Sequence, residues 1–214
     1  SAMEGVQNVL HTATLHKPHV PTHRMHAFVE TNVTGTLTLL EEAVAAGVSA
    51  FVLTSTTSAF GDALRPGSDS PAAWITEEIL PIPRNIYGTT KCAAEDLCRL
   101  FHRKMGLNCV ILRTSRFFPE ADDDPSRRAA FSDENLKVNE FLHRRVELED
   151  VVNAHVVALE KAGELGFGRY IISATSPFSR EQTSELRRNL PEVLRALVPQ
   201  YEEIYKTRGW SMFD

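Results

Sequence analysis

The chain has 214 residues, of which 43% are hydrophobic and 24% charged, and a formal net charge of −5 at pH 7. That length supports one sizeable core, and the composition is that of an ordinary soluble globular protein. The acidic balance, without any run of lysine and arginine, argues against a nucleic-acid surface, and no apolar stretch approaches a membrane span. The three cysteines, Cys92, Cys98 and Cys109, form no Cys-x-x-Cys pair. They read as reduced structural thiols of a cytosolic protein, and the first residues show no signal-peptide pattern. The expected location is the cytoplasm.

Residues 6–13 read as a short buried strand, and residues 16–21 as a proline-punctuated loop. From residue 22 to 46, Phe28, Val29, Val33, Leu37, Leu40 and Val44 recur at helical spacing, with Gly47 placed to end the helix. The β-branched and aromatic run at 50–54 predicts a strand. Residues 62–85 contain four prolines and no sustained period, which predicts a long loop or lid. A helix follows over 87–104, with Leu97, Leu100 and Phe101 on one face and Gly106 beyond its end. Residues 109–112 predict a strand, 121–130 a charged mobile segment, 149–161 a helix and 170–173 a strand. Ser179-Arg180-Glu181-Gln182 fits a capping box opening a helix, and Asn189-Leu190-Pro191-Glu192 fits the opening of another. Strands alternating with helices give an α/β fold with a parallel sheet, and ligands of such sheets bind at the carboxyl ends of the strands. Those ends lie just after Ala13, Thr54 and Leu112.

Tyr87 and Lys91 stand four residues apart in a helical stretch, which puts a phenol and an ammonium on one face. A nearby cation favours the phenolate and lowers a tyrosine pKa, giving a group able to exchange a proton with an alcohol or carbonyl. By itself the pair is weak evidence, more readily read as a chance pair on a solvated helix face. Thr54-Ser55-Thr56-Thr57-Ser58 puts five hydroxyls at a strand end, where polar groups need water, backbone or ligand partners. Thr12-Ala13-Thr14 keeps the first strand's mouth small, and Asn32 and Gly35 carry a stability cost inside a helical run that suggests a packing or site role.

Taken in order, Val-Leu-His-Thr-Ala, Asn-Val-Thr-Gly-Thr, Phe-Val-Leu-Thr-Ser-Thr, Tyr-Gly-Thr-Thr-Lys and Ile-Leu-Arg-Thr-Ser resemble the extended short-chain dehydrogenase/reductases, the NAD-dependent epimerases and dehydratases. The resemblance covers residues 4–174. It implies the C-terminal part of a Rossmann-like doubly wound parallel sheet over 1–175, and a partial, helical substrate-binding region over 176–214. It implies that Tyr87 is the general acid or base, that Lys91 lowers its pKa and holds the nicotinamide ribose, and that Thr56 hydrogen-bonds the same substrate oxygen. Thr12, Ala13 and Thr14 match the segment along the cofactor, NAD or NADP. Asn32 matches an asparagine near the site, Thr54 and Ser55 match backbone contacts to the nicotinamide half, and Thr114 and Ser115 match residues near the carboxamide. The implied activity is an oxidoreductase, epimerase or dehydratase acting on a small-molecule substrate. A homodimer through the Tyr87 helix, using Leu97, Phe101 and Leu39, is one option; their place in the core is the other.

Three departures qualify the resemblance. The family's glycine-rich phosphate turn is absent, which leads to the expectation that the first three strands precede Ser1. Arg116 replaces an asparagine usual in nucleotide-sugar enzymes, and suits a carboxylate or phosphate, unless it pairs with Asp122-Asp123-Asp124; Pro119 and Glu120 replace the usual residues after it. His16, His19, His23 and His26 cluster beyond the first strand without a cysteine partner. A place in the substrate pocket, for His16 above all, or on the surface outweighs a metal site. A non-catalytic dinucleotide-sensing or scaffold protein on the same fold is the alternative reading.

Overall fold

The computed structural model describes residues 2–117 and 125–211. Four strands, β1 (Asn8–His11), β2 (Ala50–Thr56), β3 (Asn108–Thr114) and β4 (Phe167–Ile172), form one sheet in the order β1-β2-β3-β4, and every neighbouring pair is parallel. Parallel neighbours require crossovers, and helices supply them on both faces. The first crossover begins with α1 (Met25–Phe28), continues through a π-helical turn at Val29–Thr34 and ends in α2 (Gly35–Ala45). The second contains α3 (Ile86–Met105). The third contains α4 (Pro125–Ala130), α5 (Asp133–Phe141) and α6 (Leu148–Leu165), and α7 (Thr183–Leu197) and α8 (Pro199–Arg208) follow the sheet.

Side-chain alternation along each strand divides the core. Phe51 and Leu53 of β2 with Cys109 and Ile111 of β3 pack under α2 and α3, against Leu40, Ala43, Ala94, Cys98 and Phe101. Val52, Val110 and Leu112 face the other way, against Ala158 and Ala162 of α6. Phe101, considered above as a dimer contact, is therefore a core residue, with Leu97 and Leu39 partly buried against the same cluster.

The predicted strands hold, with β2 and β3 each running two residues further toward the site and β1 shorter than expected. The predicted helix over 22–46 begins at Met25 and contains the π turn, which periodicity did not reveal. The segment expected to be mobile is a helix over Pro125–Ala130, because charge on a short helix is no obstacle to it when solvent takes the charged side chains; residues 121–124 lie outside the described residues. Asn189 breaks helical geometry inside α7, with φ −152° and ψ 62°, so the expected second helix does open around Pro191.

The long loop is fastened beside the end of β2. Gly61 N-terminal to it has φ 54° and ψ −118°, and it pairs with Ile82; a Cβ built there would lie 2.0 Å from the Ile82 carbonyl oxygen. Both the backbone conformation and the approach require glycine. Gly61→Ala is expected to cost about 2 kcal/mol or more, read as a lower denaturation midpoint with an unchanged m-value; a midpoint equal to wild type would show that the loop is not held there.

Candidate active site

The mouth of the sheet is built from the ends of β1, β2 and β3 and the first turns of α3. Asn85 caps α3 by accepting a hydrogen bond from the Gly88 amide at 3.0 Å, so Tyr87 enters in the first helical turn. Gly88 lies so close to Pro83 and the Ser58 carbonyl that an added Cβ would meet both at 3.1 Å. This contact presses the start of α3 onto the turn after β2, where Thr56 sits. Thr56 Oγ1 accepts from the Ser58 amide at 3.0 Å, and its hydroxyl lies near enough to the Tyr87 phenol to favour the phenolate.

Tyr87 is 8% exposed and Lys91, one turn on, only 2%. Burial raises the Tyr87 pKa above its ordinary 10, with the Thr56 hydrogen bond pulling the other way. The expected lowering of this pKa by Lys91 is therefore not seen. The cost of enclosing a phenolate dominates, and the Lys91 charge acts instead on His11 and Glu95. Burial brings Lys91 itself down to about 8, against the attraction of Glu95 and then Cys98.

Asn32, 1% exposed, ties the loop after β1 to α3. Its Oδ1 accepts from Thr14 Oγ1 at 2.9 Å and the Leu15 amide at 2.8 Å. Its Nδ2 donates to the Leu15 carbonyl at 2.8 Å and to Thr90 Oγ1 at 3.0 Å. All four hydrogen-bonding positions of the amide are used, and Thr90 lies between Tyr87 and Lys91. Thr12 and Ala13 are exposed at the mouth and Thr14 is half-buried.

The remaining sequence candidates divide. Thr54 Oγ1 meets His155 Nε2 of α6 at 2.6 Å; His155 Nδ1 donates to the Val151 carbonyl, so Nε2 accepts the threonine proton. Ser55 Oγ donates to Glu95 Oε1 at 2.6 Å. Both hydroxyls thus turn to the covering helices, and only the backbone of these residues borders the mouth. Thr114 Oγ1 donates to the Ser55 carbonyl at 3.0 Å, and the Ser115 amide to the Ile172 carbonyl at 2.8 Å. Arg116 forms an ion pair with buried Glu140 at 3.4 Å, beside Arg144 and Arg145, which also pair with that carboxylate. The alternative partners Asp122, Asp123 and Asp124, with Pro119 and Glu120, lie outside the described residues. His16 is half-buried, its amide donating to His19 Nδ1 at 3.1 Å, with the His16 and His19 rings 4.5 Å apart. His26 pairs with Glu30 at 3.2 Å, and among the described residues no three metal-ligating side chains converge.

Sequence reasoning missed Glu95, Arg113, Glu140 and His155. Glu95 was visible as the next member of the four-residue series that starts at Tyr87 and Lys91. Arg113 was visible as a charge inside an apolar strand, which requires a partner.

The sequence model of the NAD dependent epimerase/dehydratase family matches residues 1–172. The chain belongs to that family. It is 41% identical over 87 residues to a UDP-glucose 4-epimerase of Rhizobium meliloti (strain 1021), covering 41% of this chain and 24% of that relative. It is 36% identical over 125 residues to a dTDP-glucose 4,6-dehydratase of Streptomyces griseus, covering 55% of this chain and 35% of the relative. Its fold is that of the UDP-glucuronic acid 4-epimerase of Bacillus cereus, solved with UDP-glucuronic acid and NAD, at a TM-score of 0.62 and 22% identity over 82% of this chain. The match takes up 56% of that structure, so the chain spans about half the length of such a family member. No described helix is long and apolar enough to cross a membrane.

His11 gives the region a pH dependence. It is 4% exposed, and burial, followed by the Lys91 charge, lowers its pKa to about 4. Thr36 donates its hydroxyl proton to the Asn32 carbonyl, so His11 Nε2 donates to Thr36 Oγ1 at 2.9 Å and the ring is neutral. Unfolding lets it take a proton below the ordinary 6.5, so stability falls as pH drops from about 6.5 to 4, by roughly 3 kcal/mol from this residue. His143, also lowered to about 4 by burial, adds a slope of the same sign. Urea midpoints at pH 7 and pH 4.5 should fall less with pH in His11→Gln than in wild type; equal falls would place the dependence elsewhere.

Proposed function

We propose that Thr56, Tyr87 and Lys91 move the proton in a nicotinamide-dependent epimerase or dehydratase that works at a hydroxyl or carbonyl carbon of a sugar-like substrate. The observation that carries this reading is that Tyr87 and Lys91, one turn apart on α3 and both buried, are delivered beside the end of β2, where Thr56 stands, at the carboxyl edge of a parallel sheet. Tyr87 gives or takes the proton of the substrate oxygen, and Thr56 hydrogen-bonds that oxygen. Bringing the phenol from above 10 to neutrality takes about 4 kcal/mol or more of differential stabilisation, to which the positive charge of a bound nicotinamide ring would contribute beside the Lys91 ammonium.

The residues fit a nicotinamide. The Lys91 ammonium is buried and makes no hydrogen bond among the described residues, which suits it to ribose hydroxyls. Thr12 and Ala13, exposed at the mouth, and Thr14, held by Asn32, would lie along the cofactor, with Thr54, Ser55, Thr114 and Ser115 toward its nicotinamide half. NAD, the cofactor bound in the Bacillus cereus enzyme, is the better supported choice over NADP, and when bound it would accept and return a hydride. His16 and Arg116 border the substrate side, Arg116 with its charge already shared with Glu140. The helices after residue 176 form part of the substrate region, and the protein works in the cytoplasm. Leu100, 48% exposed on α3, is available for a homodimer contact.

In the intact protein, Tyr87→Phe should lower turnover by about 10²–10⁴-fold while leaving nicotinamide affinity and thermal stability close to wild type. Steady-state kinetics and a cofactor titration check this, and full activity in the variant would overturn the assignment.

A further inference from the structure

Arg113 stands in the middle of an apolar strand at 1% exposure. A buried guanidinium requires an anion, and the anion is Glu95, also 1% exposed. Residues 87, 91 and 95 succeed one another at four, so Glu95 lies on the face of α3 that carries Tyr87 and Lys91. Arg113 Nε donates to Glu95 Oε1 and Oε2 at 3.0 and 3.2 Å, and Nη2 to Oε2 at 2.6 Å. Ser55 adds its 2.6 Å bond from β2, and Arg169 of β4 stands 3.4 Å from Oε2 in an ionic contact. One carboxylate of the helix is thereby joined to three strands. The guanidinium also sits 4.9 Å from the centre of the Phe60 ring, and its Nη1 has no hydrogen-bond partner.

A buried ion pair that leaves a donor unpartnered is not the most stable filling for this space, since apolar residues of similar volume are often as good or better. What the arrangement supplies is position. Apolar contacts tolerate a helix sliding on a sheet, whereas a planar fork on a carboxylate does not. Ser55 and Thr56 are consecutive in β2; the first holds Glu95, and the second holds the turn at Ser58 against which Gly88, next to Tyr87, is packed. Their contacts on α3 are eight residues apart, about 12 Å of helix, so fixing one end fixes the other.

We propose that Glu95, gripped by Ser55 and Arg113, is the positioning residue of the site, locking α3 on the sheet so that Tyr87 meets Thr56 and Lys91 has a fixed counter-charge. This rests on the reading of Thr56, Tyr87 and Lys91 as the proton-transfer site. Glu95 and Cys98 of α3 favour the charged form of Lys91, and His11 of β1 is the titratable group that Lys91 acts on in turn. Around Glu95 stand Arg113, Arg169, Cys92 and Asp96.

The test needs no turnover. In ¹³C-tyrosine-labelled protein at pH 7, the Cζ resonance of Tyr87, assigned by its loss in Tyr87→Phe, reports the approach of the Thr56 hydroxyl as the shift caused by Thr56→Val. That shift should be present in the wild-type background and absent in folded Glu95→Leu/Arg113→Met, and it should be reduced in Ser55→Ala, which removes only one bond and serves if the double variant does not fold. The Lys91 titration midpoint, followed by ¹⁵N-lysine resonances, should rise in Arg113→Met, which leaves Glu95 unshared, and fall in the double variant, each by roughly half a unit or more. A Thr56→Val shift unchanged in both backgrounds, or Lys91 midpoints moving together, overturns the proposal. Retained turnover in Tyr87→Phe would instead remove the catalytic reading while these resonances still decide the role of Glu95.

Discussion

The geometry of this molecule depends on how α3 is fixed to the sheet. The helix delivers two ionisable side chains, Tyr87 and Lys91, into a space with almost no water, and a buried polar group must be paired or it costs stability. Specific contacts accordingly hold α3: the Asn85 cap and the close approach of Gly88 at its start, Asn32 through Thr90 on its flank, and the Glu95 carboxylate two turns in. Apolar packing under Ala94, Cys98 and Phe101 supplies the bulk of the attraction but is non-directional. The polar contacts select one placement from those the apolar surface would allow.

The same enclosure sets the electrostatics. Burial pushes the Tyr87 phenol up, the Lys91 ammonium down to about 8 and the His11 ring down to about 4, so each group is held toward its neutral form. A site poised in this way responds strongly to a new charge, because in a low-dielectric space little solvent screening intervenes. The structure by itself therefore holds Tyr87 as a neutral phenol.

The order of elements was legible in the sequence, since short apolar runs alternating with helical periods dictate a parallel sheet, and that order points to the strand ends as the candidate site. Tyr87, Lys91 and Thr56 stood out as candidates because local spacing and strand termination mark them. The partners of Ser55 and Thr54 were not, because Glu95 lies 40 residues away and His155 lies 101 away, and no local pattern encodes such pairings. The π turn around Asn32 shows in the sequence only as a five-residue step from Phe28 to Val33, which Val29, four before Val33, masks. The Arg116–Glu140 pair was hidden because Glu140 sits in α5, an element with too little apolar periodicity to be recognised.

The central claim is that Thr56 and Tyr87 converge on one substrate oxygen with Lys91 behind them. A crystal structure of the intact protein with NAD and a substrate or unreactive analogue tests it most directly. The account predicts both hydroxyls within hydrogen-bond distance of the same substrate oxygen and the Lys91 ammonium on the nicotinamide ribose. A substrate oxygen out of reach of Tyr87, or a nicotinamide bound away from Lys91, would contradict it.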